Sequence, residues 1–176
     1  MKKHFLIGVL VLLALPVVAA FAFRTYKDLV KKRGFANTYA IQNVGTGKDI
    51  RVHDAGIADG TKIILYTHHA WECMTWRFIE VEESTFLLQN LYTQKTFQPA
   101  SSPEAGVGLW QQPLGGSRLQ YWEFLKGPDE TYLIRLKGTE LYLTAASAED
   151  NSTVVLAQKN GSDMQLWKRV RQTPVV

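Results

Sequence analysis

The sequence of 176 residues is poor in cysteine and in charge, and each scarcity excludes something. A single cysteine, Cys73, rules out an intramolecular disulfide and every zinc motif built on paired cysteines, so stability has to come from packing. Charged residues make up only 20% and hydrophobic ones 46%, with five Trp, which excludes disorder by composition. The chain has no phosphate-binding loop, no nucleophile elbow and no His-Glu-x-x-His. Cys73 adjoins Glu72 and has no Lys or Arg beside it in sequence to favour the thiolate, so it does not read as a nucleophile. The length fits one domain with an appendage rather than a multidomain enzyme. No cofactor and no metal is expected.

The net charge of +4 is unevenly placed. Segment 24–36 carries Arg24, Lys27, Lys31, Lys32 and Arg33 against Asp28 alone, whereas residues 37–176 hold 13 Lys and Arg against 15 Asp and Glu. Basicity therefore belongs to the appendage. A nucleic-acid partner, which needs a basic stripe on the domain itself, is not expected.

The N-terminus reads as an export signal. Lys2-Lys3 forms a charged start, Phe5 to Leu15 an apolar run, Pro16 a breaker and Ala20-Phe21-Ala22 a small-x-small site, which assigns residues 1–22 to a signal peptide. The alternative is an uncleaved anchor: Phe5 to Phe23 is long enough to span a bilayer, and the larger basic cluster follows the run. The expected location is thus secreted or periplasmic, with membrane anchoring by residues 5–23 as the alternative. Residues 24–36 read as a basic linker.

Residues 39–170 carry a threefold repeat. Trp76, Trp122 and Trp167 are 46 and 45 residues apart, and the segments beginning Tyr39, Phe86 and Tyr132 are 47 and 46 apart. Between them lie Ile63 to Tyr66, Val107 to Trp110 and Thr153 to Leu156. Short alternating apolar stretches separated by turns such as Asp59-Gly60, Gly127-Pro128-Asp129 and Asn160-Gly161 predict strands throughout, with room for four per copy and twelve in all. Three copies are too few for an open solenoid, so closure about a threefold axis is expected.

The first copy, Ile41-Gln-Asn43, Thr46-Gly-Lys48, Ile50-Arg51-Val52, Ala58-Asp59-Gly60-Thr61, Ile63-Ile64-Leu65-Tyr66 and Met74-Thr75-Trp76, resembles the repeat of the ricin-type β-trefoil lectins with its Gln-x-Trp signature. The resemblance covers 37–172. It implies an all-β trefoil and one shallow sugar pocket per copy, with an Asp taking sugar hydroxyls, an aromatic stacking on the ring and an amide near Gln-x-Trp.

This sequence departs at the Asp in every copy. On the spacing, that position holds Arg51, Gln98 and Tyr142, and the aromatic position holds Tyr66, Trp110 and Ala157. Only the second copy joins a hydroxyl-binding group to a large aromatic, so the carbohydrate site is expected at Gln98 and Trp110, with Gln112 from the adjoining loop, and a weaker one at Tyr66 and Arg51. Arg51, which offers donors and no acceptor, is expected to point outward and pair with Asp49, the alternative being contact with an acidic sugar. The Trp rulers are expected in the core. His53, His68 and His69 read as solvated turn residues, and Glu82-Glu83, Asp129-Glu130 and Glu149-Asp150 as solubilising turn charges rather than an acid–base pair. The expected function is a non-catalytic carbohydrate-binding module. The alternative is a protein-interaction or structural trefoil that has lost its sugar pockets, with a protein partner in place of a glycan.

Overall fold

The chain divides into two units, Met1–Ala36 and Asn37–Val176, and the computed structural model describes residues 34–175. The expected signal or anchor and the basic cluster through Arg33 lie outside the described residues.

Four strands form per repeat, as the alternation predicts. The first holds β1 (Thr38–Asn43), β2 (Asp49–Val52), β3 (Ile63–Tyr66) and β4 (Trp76–Glu82). The second holds β5 (Thr85–Asn90), β6 (Thr96–Pro99), β7 (Leu109–Gln112) and β8 (Tyr121–Lys126). The third holds β9 (Tyr132–Leu136), β10 (Leu141–Ala145), β11 (Val154–Gln158) and β12 (Leu166–Arg171). The outer strands of the three repeats close a ring: antiparallel pairs join β1 to β4, β4 to β5, β5 to β8, β8 to β9, β9 to β12 and β12 back to β1. A closed ring leaves no unpaired edge.

The inner strands make the hairpins β2–β3, β6–β7 and β10–β11. Single bridges tie each hairpin to the next in threefold order, Lys62 to Trp110, Gly108 to Val155 and Thr153 to Ile64.

Equivalent residues fill the core. Ile41, Leu88 and Ile134 come from the first strands, Ile50, Phe97 and Leu143 from the second, and Trp76, Trp122 and Trp167 from the fourth; all nine are fully buried. Trp-x-Phe places Phe78 and Phe124 on the same strand face as their Trp. They meet Phe86, Tyr39 and Tyr132 edge to face with centroids 5.2–5.6 Å apart. The third copy lacks the Phe. Arg169 stands there, its guanidinium 4.7 Å from the Tyr132 ring centre and 5.4 Å from that of Tyr39, and it donates to the Tyr132 hydroxyl at 2.6 Å. A cation over ring faces replaces the missing ring while its charge stays solvated.

The Gln-Asn pairs at the ends of β1 and β5 also have a structural reason. Asn43 and Asn90 are fully buried, and each side-chain carbonyl accepts backbone N–H groups of its own turn, from Thr46 and from Tyr92 and Thr93 respectively. Their amides donate to the preceding copy, Asn43 to Met164 O at 2.9 Å and Asn90 to Cys73 O at 3.0 Å. Leu136 takes this place in the third copy and makes no such tie.

The three Trp differ in one respect. Trp76 Nε1 donates to Ile50 O at 3.1 Å and Trp167 Nε1 to Leu143 O at 3.0 Å, whereas the buried Trp122 Nε1 has no hydrogen-bond partner. Trp122→Phe should therefore destabilise the protein by about 1–2 kcal/mol less than Trp76→Phe, because only the latter loses a bond and strands a buried carbonyl. Urea unfolding of the two variants measures the difference, and equal losses would contradict it.

Candidate functional site

Strand register decides which outward positions are equivalent. The tryptophan bonds make Ile50 and Leu143 counterparts, so the next residues, Arg51 and Thr144, share a position with Gln98. Thr144, and not Tyr142, thus holds the Asp position of the third copy; Tyr142 pairs with Ala157 two residues away. On the facing strands Arg51 pairs with Ile64, Gln98 with Trp110 and Thr144 with Val155. The aromatic position therefore holds Tyr66, Gln112 and Ala157, and Trp110 lies two residues before it. Both corrections have one cause: a shift of two along a strand keeps the same face outward, so alternation does not reveal it.

In the second copy the register still brings the expected residues together. Trp110 lies directly across from Gln98, and Gln112 two residues along, so all three share one face of the β6–β7 hairpin. Gln112 ends strand β7 and does not come from a loop. Trp110 is 39% exposed, and a Cβ added at Gly60 of the first copy would meet its ring at 3.9 Å, so the glycine leaves room beside the indole.

The orientation of Gln98 follows from its neighbour. The Gly115 N–H donates to Gln120 Oε1 at 3.0 Å, so Gln120 Nε2 is the amide end that donates to Pro113 O at 2.9 Å and to Gln98 Oε1 at 3.0 Å. Gln98 is held through its oxygen and has its N–H donors left over. Where the lectin repeat offers an acceptor to sugar hydroxyls, this one offers a donor.

The first copy is built differently, and no glutamine supports it because Met74 occupies that place. The Arg51 side chain is 10% exposed, with its guanidinium 4.4 Å over the Tyr66 ring and 5.8 Å from Trp71. It does not pair with Asp49. Nη2 reaches Asp54 Oδ1 at 3.5 Å and Nε donates to Val52 O at 3.3 Å. Asp49 is instead engaged by His68, whose Nδ1 lies 2.6 Å from Oδ2, and by Gln42 at 3.2 Å. Burial pushes the Asp49 carboxyl up, and the hydrogen bond and charge of His68 oppose that rise. Nor is His69 merely solvated, since it stacks on Trp71 with centroids 4.2 Å apart.

A cavity of about 340 Å³ opens beside Arg51, lined by Ala55, Trp71, Glu72, Cys73 and, from the second copy, Tyr92. Although the sequence places no cation next to Cys73, the fold sets Arg51 beside it; burial still pushes the thiol up more than Arg51 brings it down. The third copy is sealed: Thr144 accepts from Gln165 at 3.0 Å, donates to Tyr142 O at 3.0 Å, and is 7% exposed.

Trp71 and Tyr92 escaped the sequence reading. Trp71 is the one tryptophan besides Trp110 outside the 45-residue spacing, and that isolation was the available signal. Its segment is anchored from two sides. Val175 N donates to Ala70 O at 2.7 Å and accepts from Glu72 N at 3.1 Å through its own carbonyl. Asp150 Oδ1 accepts from Thr67 N at 2.8 Å and from Lys48 Nζ at 2.6 Å. Asp150 is thus an anchor, and Glu82 likewise pairs with Lys137, rather than both being loose turn charges. Among the described residues no three His, Cys, Asp or Glu side chains converge on a metal site.

The arrangement is a β-trefoil. The designed threefold-symmetric protein ThreeFoil superposes with a TM-score of 0.75 at 22% identity, over 77% of this chain and 99% of its own. The Rhizoctonia solani agglutinin gives 0.70 at 20%, over 78% and 96%. The Macrolepiota procera ricin B-like lectin, solved in complex with lactose, gives 0.68 at 18%, over 77% and 95%. No protein-family model and no curated protein matches the sequence.

The Asp150 anchor has a testable pH dependence. Lys48 and Thr67 hold its carboxyl below the usual 3.8 of an aspartate, so the tie is at full strength above that value and is lost as pH falls through the lowered one. The Thr67 amide resonance should titrate with a midpoint below 3.8 in wild type and show no such step in Asp150→Asn, as NMR would record.

Proposed function

We propose that this chain is an exported, non-catalytic, lectin-like module whose saccharide site lies on the second repeat. The observation that carries the reading is the half-exposed Trp110 standing in register beside Gln98, with Gln112 on the same face. Trp110 stacks on a sugar ring, Gln98 donates to a ring or hydroxyl oxygen, and Gln112 adds a second polar contact. The fold is shared with the Macrolepiota procera lectin, whose complex contains lactose, and that supports carbohydrate as the ligand class. A single open face without a charged acceptor reaches a Kd of about 0.1–1 mM, so firm attachment requires clustering.

Trp110→Ala should abolish glycan binding with little change in melting temperature, and Gln98→Asp should tighten it, since Gln120 still donates to the carboxylate while its second oxygen becomes an acceptor. Calorimetric titration with neutral saccharides to tens of millimolar is the measurement. A second reading is favoured by Arg51 covering Tyr66 and by the sealed Thr144: a trefoil that contacts a protein partner. Absence of any saccharide binding would establish it in place of the lectin.

For the N-terminus we propose cleavage after Ala22 and release from the cell. N-terminal sequencing of native protein should then begin at Phe23 in the soluble fraction. Met1 retained in the membrane fraction would establish the anchored form.

A further inference from the structure

Arg51 is a poorly compensated buried charge. Its side chain is nine-tenths buried, yet its only ion pair among the described residues is the 3.5 Å contact to Asp54, whose side chain is 76% exposed. A cation removed from water is retained at low cost only where good partners surround it. Every other Lys or Arg in an ion pair among the described residues meets its carboxylate at 2.9 Å or closer. The rings of Tyr66 and Trp71 compensate part of the charge, but they touch faces and leave N–H edges unfilled. Arg51 also lines the cavity of about 340 Å³ together with Trp71, Glu72 and Tyr92.

The cavity lining has a second charged side chain. Glu72 offers carboxylate oxygens, which accept hydroxyl hydrogens, while Trp71, Tyr92 and Ala55 supply an apolar wall. Ala55 and its neighbour Asp54 both hold left-handed backbone, at φ 51° and 48°, a conformation unfavourable for Ala in particular. One cation, one acceptor and an aromatic wall describe a small ligand that is anionic at one end and hydroxylated at the other.

From this geometry we infer that the cavity between the first and second repeats binds an acidic saccharide, its carboxylate on the Arg51 guanidinium and its hydroxyls on Glu72. The inference rests on the carbohydrate-binding reading and gives the weaker first-repeat site at Arg51 a ligand chemistry different from that of the Trp110 face. The Arg51 fork takes a carboxylate through two parallel N–H bonds. Asp54, exposed and loosely held, swings into water as the ligand enters. Neutral sugars lack the group that completes the guanidinium and bind here poorly.

The test titrates the purified full-length protein, kept in mild detergent, with the methyl glycosides of glucuronic, galacturonic and N-acetylneuraminic acids. Methyl glucoside and methyl galactoside are run beside them, and binding is followed by calorimetry and by tryptophan fluorescence. At least one acid should bind tenfold or more tightly than the neutral sugars. Arg51→Gln should remove that preference, Arg51→Lys should recover part of it, and thermal melts confirm that each variant is folded. Glu72→Gln, which leaves Arg51 in place, should weaken the acid several-fold. Trp110→Ala should leave acid binding unchanged.

If neutral sugars bind as well as the acids and Trp110→Ala removes both, the inference is overturned and the second-repeat lectin stands. If an acid binds through Arg51 and no neutral sugar binds at all, the inference stands and the Trp110 site falls. If nothing binds, both are overturned.

Discussion

Trp76, Trp122 and Trp167 are each fully buried, and no single four-strand repeat has enough surface to bury its own. The ring of six outer strands supplies what each repeat lacks. Every repeat lends strands to both neighbours, and the last, β12, returns to pair with β1 over Tyr39 to Asn43. The core exists only when the ring is closed, which makes the domain a single cooperative unit even though its sequence is a threefold repetition. The Asn43 and Asn90 ties and the three inter-hairpin bridges all cross from one repeat to another, so polar bonding follows the same cyclic order as packing.

The points where the threefold order fails are chemically informative. Arg169 in place of a third Phe keeps the aromatic end of the barrel closed by a cation over ring faces. Met74 in place of the Gln of the second and third copies removes the support that holds Gln98 and Thr144. Without it the first copy assembles Arg51, Tyr66, Trp71, His68 and Asp49 into an arrangement that neither other copy has. Symmetric positions secure the fold, and asymmetric ones distinguish the faces.

Much of this was legible in the sequence. The spacing of Trp76, Trp122 and Trp167 disclosed three repeats, and alternation with turn residues disclosed twelve strands, because a strand that buries one face shows a period of two. Register within a face was not legible. Placing Tyr142 where Thr144 stands, and Trp110 where Gln112 stands, are both shifts of two, which alternation cannot detect. Partners set by loop paths were equally hidden: Asp49 with His68 and Asp150 with Thr67 join residues far apart in sequence, and Arg51 reaches Asp54 only through the left-handed turn that follows β2. Gln98, Trp110 and Gln112 survived the error because a two-residue slip leaves all of them on one face.

The same parity explains how the outward chemistry departs so far from a lectin repeat without disturbing the barrel. Inward residues on β2, β6 and β10 (Ile50, Phe97 and Leu143) are fixed by the core, while their outward neighbours Arg51, Gln98 and Thr144 answer only to the side chains beside them outside it, Tyr66 and Trp71, Gln120, and Gln165 respectively. Three different solutions stand there: a cation resting on aromatic faces, an amide pinned by its oxygen, and a hydroxyl already satisfied on both sides. Two of these present hydrogen-bond donors and none presents a free carboxylate acceptor. Hydroxyl groups of a neutral sugar serve as either donor or acceptor, but a carboxylate only accepts, so the electrostatic complement of these faces has shifted from polyol toward anion. The acceptor capacity that does exist in the first repeat is displaced from the old position, to Asp49, buried behind His68, and to Glu72 in the cavity lining, and a ligand that uses this surface must be shaped by that displacement.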